Sequence, residues 1–278
     1  MLISGWMRVH MLWRWWALFW VAAIIAYRAR FIAPWRVKYH YVDMDRWLQK
    51  KIVLISDLHI GIFKNEHFLQ NIVDAINQLE DVDIVVIAGD ITYEPLRHQI
   101  EKLLQPLASI RFPTYAVLGN HDTWQPWPDI ADEIRRVLVQ YGVEIIENKY
   151  IDKWAYILAG LWDFRAQEDD VTSLDDICAQ RPAQNPKPVI CLVHNPDSTL
   201  KYEQRVVDIT LAGHTHGAQI RIPWIKKWTY DMFLQLIGPF DHGVHYQKHG
   251  IVYVSNGLGE VGVPRRRGSS PTIDILHL

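Results

Sequence analysis

Cysteine is scarce in this chain, which contains only Cys178 and Cys191 among 278 residues. Two cysteines exclude a disulfide framework and a cysteine-based zinc site. Cys191 lies in the apolar run 189–193 (VICLV), where we expect a buried thiol.

An excess of charge of one sign is also lacking. Twenty-nine Lys and Arg residues against 31 Asp and Glu residues leave a formal net charge of −2. No global basic field would therefore draw the chain onto nucleic acid, and we expect no nucleic-acid partner. A hydrophobic content of 49% excludes a disordered chain, and the length suffices for an enzyme-sized core.

An apolar segment lies near the N-terminus. Residues 11–27 reach the roughly 17 to 25 residues of a spanning helix if Arg14 extends its guanidinium to the lipid headgroups. Five of the 13 tryptophans precede position 21, and tryptophan is typical of the membrane interface. We expect residues 1–34 to form a transmembrane or membrane-anchor segment and residues 35–278 to form the catalytic domain.

A cleaved signal peptide and an interfacial helix are the alternatives for this segment. Cleavage is disfavoured because no small-x-small site follows the apolar core. Four basic residues between positions 28 and 38 follow the segment, whereas Arg8 and Arg14 precede it. This bias favours a catalytic domain on the cytoplasmic side.

Beyond residue 34 the pattern is that of an α/β domain. Short β-branched runs alternate with stretches of helical periodicity, which favours parallel strand pairing. The predicted strands are 51–56, 83–88, 114–118, 156–159, 189–193, 208–212, 251–255 and 272–276, with 36–42 as an edge strand. The predicted helices are 66–79, 95–109 and 128–141.

Each of five predicted strands ends in a cluster of polar residues. Because the carboxyl ends of parallel strands meet at one edge of a sheet, we expect these clusters to share one site. Oxygen and imidazole donors without cysteine suit Mn, Fe or Zn rather than Ca. The candidates are too many for one ion, which predicts two divalent metal ions bridged by one carboxylate. The seven candidate ligands are Asp57, His59, Asp90, Asn120, His194, His214 and His216.

Glycines stand beside several of these candidates. Tight turns and close backbone approach to a metal favour a residue that lacks a Cβ atom. The glycines at these positions are Gly89, Gly119, Gly213 and Gly217.

The order of the motifs is specific. Asp-x-His, Gly-Asp, Gly-Asn-His-Asp, a lone His and Gly-His-x-His together resemble the calcineurin-like metallophosphoesterase superfamily over residues 51–278. The strings LISDLHIG, HNPD, GHTHGAQ and SNGLGEVGVPRRRGSSPTIDILHL are similar to those of bacterial envelope-associated phosphodiesterases. Ala218 and Asn256 replace a common glycine and a frequent arginine, and we expect both to affect substrate contacts more than metal binding.

The resemblance implies a two-sheet β-sandwich flanked by helices, with two metal sites that share Asp90. A hydroxide that bridges the metals would attack phosphorus, and His121 would stabilise or protonate the leaving oxygen. We expect Asp122 or Asp197 to orient a histidine. The implied ligands are Asp57, His59, Asp90 and His216 for one metal, and Asp90, Asn120, His194 and His214 for the other.

The same resemblance implies a metal-dependent phosphoester hydrolase. A phosphodiester or pyrophosphate substrate of the cell envelope is favoured, and a lipid-linked or nucleotide-linked compound such as the UDP-diacylglucosamine cleaved by related lipid A enzymes is the specific candidate. We expect a single-pass protein of the bacterial inner membrane. The alternatives are a phosphomonoesterase such as a protein phosphatase and, less favoured because every ligand position is kept, a non-catalytic metal-stabilised scaffold.

Two further segments have open interpretations. Residues 223–240 (PWIKKWTYDMFLQLIGPF) form either a packed loop and helix that closes the core or an amphipathic cap that rests on membrane lipids. The basic run 265–267 (RRR) offers a site for anionic headgroups or for a substrate phosphate.

Overall fold

The computed structural model describes residues 35–42, 48–123, 130–162, 174, 187–202, 207–221, 238–248 and 250–278. Within these ranges, no helix combines the length and the apolar character needed to cross a membrane. The predicted anchor 11–27 and residues 223–237 of the predicted cap lie outside the described residues, so both stay predictions.

The described residues form strands and short helices in alternation. The strands are β1 (Arg36–Tyr41), β2 (Lys51–Ile55), β3 (Ile60–Gly61), β4 (Ile84–Ala88), β5 (Thr92–Tyr93), β6 (Thr114–Val117), β7 (Val143–Ile145), β8 (Lys149–Asp152), β9 (Ile157–Gly160), β10 (Val189–Leu192), β11 (Ile209–Ala212), β12 (Gly243–Gln247), β13 (Gly250–Val254) and β14 (Thr272–His277). The α-helices are α1 (Glu66–Asn77), α2 (Ile100–Leu104), α3 (Asn120–Thr123) and α4 (Ile130–Gln140).

Twelve of these strands build two six-stranded sheets, with the orders β1-β14-β2-β4-β6-β7 and β12-β13-β11-β10-β9-β8. The neighbours in β2-β4-β6-β7 and in β13-β11-β10-β9 run parallel, as the alternating pattern predicts. β14 is antiparallel to β2, and β8 and β12 are antiparallel edge strands of the second sheet. β1 is an edge strand, which confirms that prediction.

The two sheets pack face to face around one apolar layer. Leu54 and Val86 from the first sheet lie in the same buried cluster as Leu192 and Leu211 from the second. Side chains of a strand alternate between faces, so the neighbours of Leu54 on β2, Val53 and Ile55, pack instead with the helices on the outer face. The result is a two-sheet sandwich with helices outside the first sheet.

Helix α1 shows how local sequence fixes these outer elements. It begins after Asn65, whose side-chain oxygen accepts a hydrogen bond from the backbone N–H of Phe68 at 3.2 Å. Its buried residues recur at helical spacing and face the first sheet, so the periodic pattern of 66–79 is confirmed apart from its last two residues. They are Leu69, Ile72, Val73 and Ile76.

The single helix predicted for 95–109 is wrong. The chain forms a 3₁₀ helix at Arg97–Gln99, then α2, then a second 3₁₀ helix at Gln105–Ser109. Pro106 lies inside the predicted span and has no backbone N–H, so an α-helix cannot continue through it undisturbed. Apolar spacing alone does not reveal this break.

Candidate metal centre

The loops after β2 and β4 run side by side beyond the ends of their strands. The backbone N–H of Asp57 donates to the carbonyl of Gly89 at 3.0 Å, and that of His59 donates to the carbonyl of Asp90 at 3.0 Å. The two chains then pair again as β3 and β5. This continued ladder places Asp57, His59 and Asp90 at one end of the first sheet.

The second sheet contributes the remaining histidines, so the five clusters do not lie on one sheet as the pattern of parallel strands had indicated. His194, which follows β10, contacts the carbonyl of Ala88 on β4 through Nδ1 at 2.8 Å. The backbone N–H of His214, beyond β11, donates to Oδ1 of Asp57 at 3.0 Å. These contacts join the carboxyl ends of the two sheets, and the centre is therefore formed between the layers.

Five of the candidate ligands adopt left-handed backbone angles. Only glycine adopts this region freely, although Asp and His tolerate it better than most residues. Such conformations cost on the order of 1 to 3 kcal/mol each and are typical of functional sites. The φ angles are 49° at Asp57, 48° at His59, 51° at Asp90, 71° at His214 and 52° at His216.

The first group of side chains comprises Asp57, His59, Asp90 and His216, whose ligand atoms lie within 4.8 Å of one another. The Nε2 atoms of His59 and His216 are 3.0 Å apart, and Nε2 of His216 is 3.4 Å from Oδ1 of Asp57. Burial lowers the pKa of His59 to about 3 and holds that of His216 well below its ordinary value. Burial also raises the pKa of Asp57 to about 7, against the opposing charge of His194.

The second group comprises Asp90, His194 and His214, again within 4.8 Å, with Asn120 beside them. Because a carbonyl oxygen can only accept, Nδ1 of His194 donates its hydrogen to the carbonyl of Ala88. In the neutral ring, Nε2 then has a free lone pair. This Nε2 lies 3.1 Å from Oδ1 of Asn120, 3.1 Å from Nδ1 of His214 and 3.3 Å from Oδ2 of Asp90. Four potential ligand atoms thus converge.

Asp90 lies between the two groups. Its Oδ2 is 3.3 Å from Nε2 of His194 and 3.6 Å from Nε2 of His59, while its Oδ1 accepts the backbone N–H of His121 at 2.8 Å. Burial by itself would raise the pKa of Asp90, but the surrounding histidines, His194 foremost, hold it well below the ordinary value. A carboxylate charged at neutral pH between two sets of imidazoles has the position that a bridging ligand needs.

The side chains therefore fit the binding of metal ions. Buried electron-pair donors that face one another repel unless a cation or a proton lies between them, and buried carboxylates need compensation. The donor set is oxygen and imidazole without sulfur, as the sequence indicates. All seven predicted residues are brought together, six of them buried and His214 partly so. Their assignment as ligands stays a prediction.

His121 and Tyr93 border this cluster on its more open side. The half-buried ring of His121 meets the rings of His59 and Tyr93 edge-on, with centroid distances of 5.1 Å in both cases. Tyr93 also meets His59 edge-on at 5.3 Å. Tyr93 was not identified from the sequence, although it follows the Gly-Asp motif by three positions.

Asp122 does not orient a histidine. Its carboxylate accepts hydrogen bonds from the backbone N–H groups of Ile91, Thr92 and Gly119 at 2.8 to 3.0 Å, and from the Thr92 hydroxyl. Asp122 therefore fastens the loop after β4 to the loop after β6. Burial, with the charge of Asp90, raises its pKa to about 6. The corresponding role for Asp197 stays a prediction.

Arg266 contacts the centre in a role that the sequence did not reveal. It is 5% exposed, and its guanidinium donates to the carbonyls of Gly259, His216 and Asn256 and lies 3.0 Å from Nδ1 of His216. Burial lowers its pKa to about 10. The guanidinium of Arg266 is thus not available to lipid headgroups or to a substrate phosphate. The prediction that residues 265–267 bind such groups is therefore wrong for Arg266.

The two departures from the family pattern also lie in the interior. Asn256 is 6% exposed and its amide donates to the carbonyl of Ser270 at 3.1 Å. Ala218 is 6% exposed and has a φ of 54°. Both side chains are therefore buried, and the expectation that they affect substrate contacts stays a prediction. Phe240, at the end of the predicted cap, is likewise buried in the core.

Comparison with known proteins agrees with this geometry. The calcineurin-like phosphoesterase family matches residues 50–218, which contain all seven candidate ligands. An uncharacterized metallophosphoesterase of Helicobacter pylori is 30% identical over 246 residues, covering 86% of this chain and 62% of the relative. One of Aquifex aeolicus is 31% identical over 243 residues, covering 82% and 84%.

A vertebrate relative is also similar. A transmembrane protein with metallophosphoesterase domain from Danio rerio is 29% identical over 238 residues, covering 80% of this chain and 52% of its own length. The chain spans about three fifths of the length of the Helicobacter relative and of a Campylobacter jejuni relative. The matched family and the preserved order of motifs confirm the resemblance seen in the sequence: the chain belongs to the calcineurin-like phosphoesterase family.

Proposed function

We propose that this protein is a binuclear metal-dependent phosphodiesterase. The observation that carries the proposal is the pair of donor groups that share Asp90 and lie beside His121. A phosphodiester resists hydrolysis because its anionic oxygens repel a nucleophile and its alkoxide is a poor leaving group. The arrangement addresses both difficulties at one place.

Two divalent cations, with Mn, Zn or Fe as the candidates, would supply Lewis acidity to the phosphate oxygens and to the attacking water. Asp57, His59 and His216 would hold one cation, and Asn120, His194 and His214 the other, with Asp90 shared. The protein fixes these side chains in advance through the contacts of His194 with Ala88 and of His214 with Asp57. Such preorganisation is what electrostatic catalysis requires.

His121 is the proposed general acid. Its backbone N–H is held by Asp90 at the start of α3, and its ring lies on the open side of the cluster. A leaving alkoxide needs a proton, and an imidazolium within hydrogen-bond reach can donate one from its ring N–H. The hydrogen bond to Asp90 fixes the backbone of His121 beside the proposed ligands.

For the substrate class we propose a phosphodiester or pyrophosphate of the bacterial envelope, with a lipid-linked nucleotide such as UDP-diacylglucosamine as the specific candidate. The apolar segment 11–27 supports a single-pass location in the inner membrane with the catalytic domain in the cytoplasm. The Danio rerio relative is itself named as a transmembrane protein, which agrees with this proposal. Alkaline phosphatase fused after Leu278 should be inactive, and an active fusion would place the domain outside the cytoplasm.

The first test is hydrolysis by the full chain in detergent. We would strip the metals, restore Mn or Zn, and compare bis(p-nitrophenyl) phosphate with p-nitrophenyl phosphate. His121→Ala should lower diester turnover by about a hundredfold or more, the usual contribution of a general acid. His98→Ala is the matched control, because His98 is exposed and lies away from the motifs.

The outcomes separate the alternatives. Faster turnover of the monoester would favour a phosphomonoesterase. Absence of turnover with two metals bound would favour the scaffold. Equal activity of the His121 and His98 variants would remove His121 from the mechanism.

A further inference from the structure

Tyr93 extends the metal centre toward solvent. Its ring contacts His121 and His59 edge-on, and it also stacks on Phe63 with a centroid distance of 5.6 Å and an interplanar angle of 22°. Tyr93 and Phe63 are both half-buried. An aromatic surface therefore begins at the proposed general acid and leads outward.

The small sheet of β3 and β5 holds this surface in place. Gly61 pairs with Tyr93, and the backbone N–H of Ile62 donates to the carbonyl of Tyr93 at 3.3 Å. Gly61 is required here, because a Cβ atom would overlap the Tyr93 carbonyl oxygen. The segment that carries Ile62 and Phe63 is thus fixed against the segment that carries Tyr93.

The loop after β13 closes the other side of Tyr93. The backbone N–H of Gly262 donates to the Tyr93 hydroxyl oxygen at 3.3 Å. Lys64 and Glu260 form an ion pair at 3.0 Å with side chains only 12% and 4% exposed. The amide of Gln219 also donates to the carbonyls of the two residues that flank Gly262, at 3.1 and 3.0 Å. The loop is therefore held by side chains from two directions.

Apolar side chains remain exposed on this rigid frame. Ile62 is 57% exposed and its backbone contacts the Tyr93 carbonyl, while Val263 is 50% exposed and follows Gly262, whose N–H contacts the Tyr93 hydroxyl. We call Ile62, Phe63, Tyr93 and Val263 the apolar shelf. Exposed aliphatic side chains are common singly, but these two belong to segments that are bonded to Tyr93, whose ring contacts His59 and His121 at the metal centre, as in a ligand site.

We propose that the apolar shelf binds an alkyl or acyl chain of the substrate, attached close to the phosphoester. This inference rests on the proposed function and names where the lipid portion lies. A chain attached beside phosphorus would extend away from the metal centre past His121. Tyr93 would be the first shelf residue that it contacts. Contact with Ile62 and Val263 then removes apolar surface of both partners from water. A short hydrophilic alcohol would leave the same side chains in water.

The test compares p-nitrophenyl alkyl phosphodiesters with methyl and hexyl groups on the metal-loaded full chain in detergent. A methylene fully removed from water favours binding about fourfold, so on this half-open shelf we expect kcat/KM about tenfold higher for the hexyl ester. The double variant Ile62→Ser, Val263→Ser should bring the hexyl-to-methyl ratio toward one. Val139→Ser is the control, because Val139 is 61% exposed on α4 and belongs to neither site.

Partition of the hexyl ester into detergent is the same for both variants, so their difference reports the shelf alone. Equal ratios in the double variant and the control would overturn the shelf. A hexyl-to-methyl ratio near one in the unmodified protein would overturn the proposed binding of an apolar chain. It would leave the proposed hydrolase activity intact. Absence of turnover of either diester would overturn the proposed function and this inference with it.

Discussion

Gly89 offers a direct test of how tightly the two sheets meet at the metal centre. Its φ is 75°, and a Cβ atom built there would lie 2.6 Å from Nδ1 of His194 and 2.8 Å from the backbone nitrogen of Gly119. A left-handed backbone conformation at an alanine costs about 1 kcal/mol. The overlap adds about 1 to 3 kcal/mol, because neither the imidazole held by Ala88 nor the backbone can move freely. We expect Gly89→Ala to lose about 3 kcal/mol of unfolding free energy.

Gly142→Ala is the matched control for this prediction. Gly142 has a φ of 80°, yet among the described residues no atom beyond its chain neighbours lies within 4 Å of the Cβ position. It therefore carries the backbone cost without the overlap, and we expect a loss of about 1 kcal/mol. Urea unfolding of both metal-free variants gives the difference, and elemental analysis after metal loading should show fewer bound ions for Gly89→Ala. Equal unfolding free energies and equal metal contents would refute the close packing of His194 on Gly89.

Two other features lead to predictions of the same kind. Arg266→Met should lose about 3 kcal/mol, because the buried carbonyls of Gly259 and Asn256 lose the guanidinium as donor and that of His216 keeps only the Ser269 hydroxyl, while the cost of burying a guanidinium is relieved. The exposed neighbour gives the control, since Arg267→Met should stay within about 0.5 kcal/mol, and equal melting temperatures would contradict the role of Arg266. Burial raises the pKa of the Cys191 thiol to about 12, so in a Cys178→Ser background Ellman's reagent should react only after unfolding. Rapid reaction of the folded protein would show that Cys191 is accessible.

The central strands were predictable because they are buried on both faces. The residues of β2, β4, β10 and β11 are apolar almost without interruption, and a short continuous apolar run indicates such a strand. β8 and β12 lie at the edges of the second sheet with mostly exposed or half-exposed residues. Their sequences carry no clear alternation, so the same reasoning could not find them.

The division of the strands into two sheets could not be predicted from local sequence patterns. β2 and β10 are both apolar runs followed by polar residues, and nothing in either run states that they belong to different layers. Sheet membership depends on pairing partners far apart along the chain, such as β14 with β2. Only the family resemblance implied the sandwich. Polar residues at strand ends still identified the site, because both sheets present their carboxyl ends to the same region.

Charge patterns were the weakest guide at the site. Three consecutive arginines usually indicate a solvated surface, yet the middle one, Arg266, is buried against carbonyl groups of the loops that carry His216 and Gly259. Asp122 was similar, since its partners are backbone N–H groups that appear only when two loops meet. Contacts with backbone atoms depend on the fold and leave no trace in residue type or spacing.

Without a bound cation, the side chains of the metal centre lower the stability of the folded chain. Left-handed angles at five candidate ligands cost on the order of 1 to 3 kcal/mol each, and buried carboxylates and imidazoles add to this. Apolar clusters on both faces of the first sheet hold the strand ends in place despite these costs. A cation that binds only the folded state would return part of the free energy by mass action. The arrangement is therefore better explained by ion binding than by stability, since apolar residues at the same strand ends would give a more stable fold.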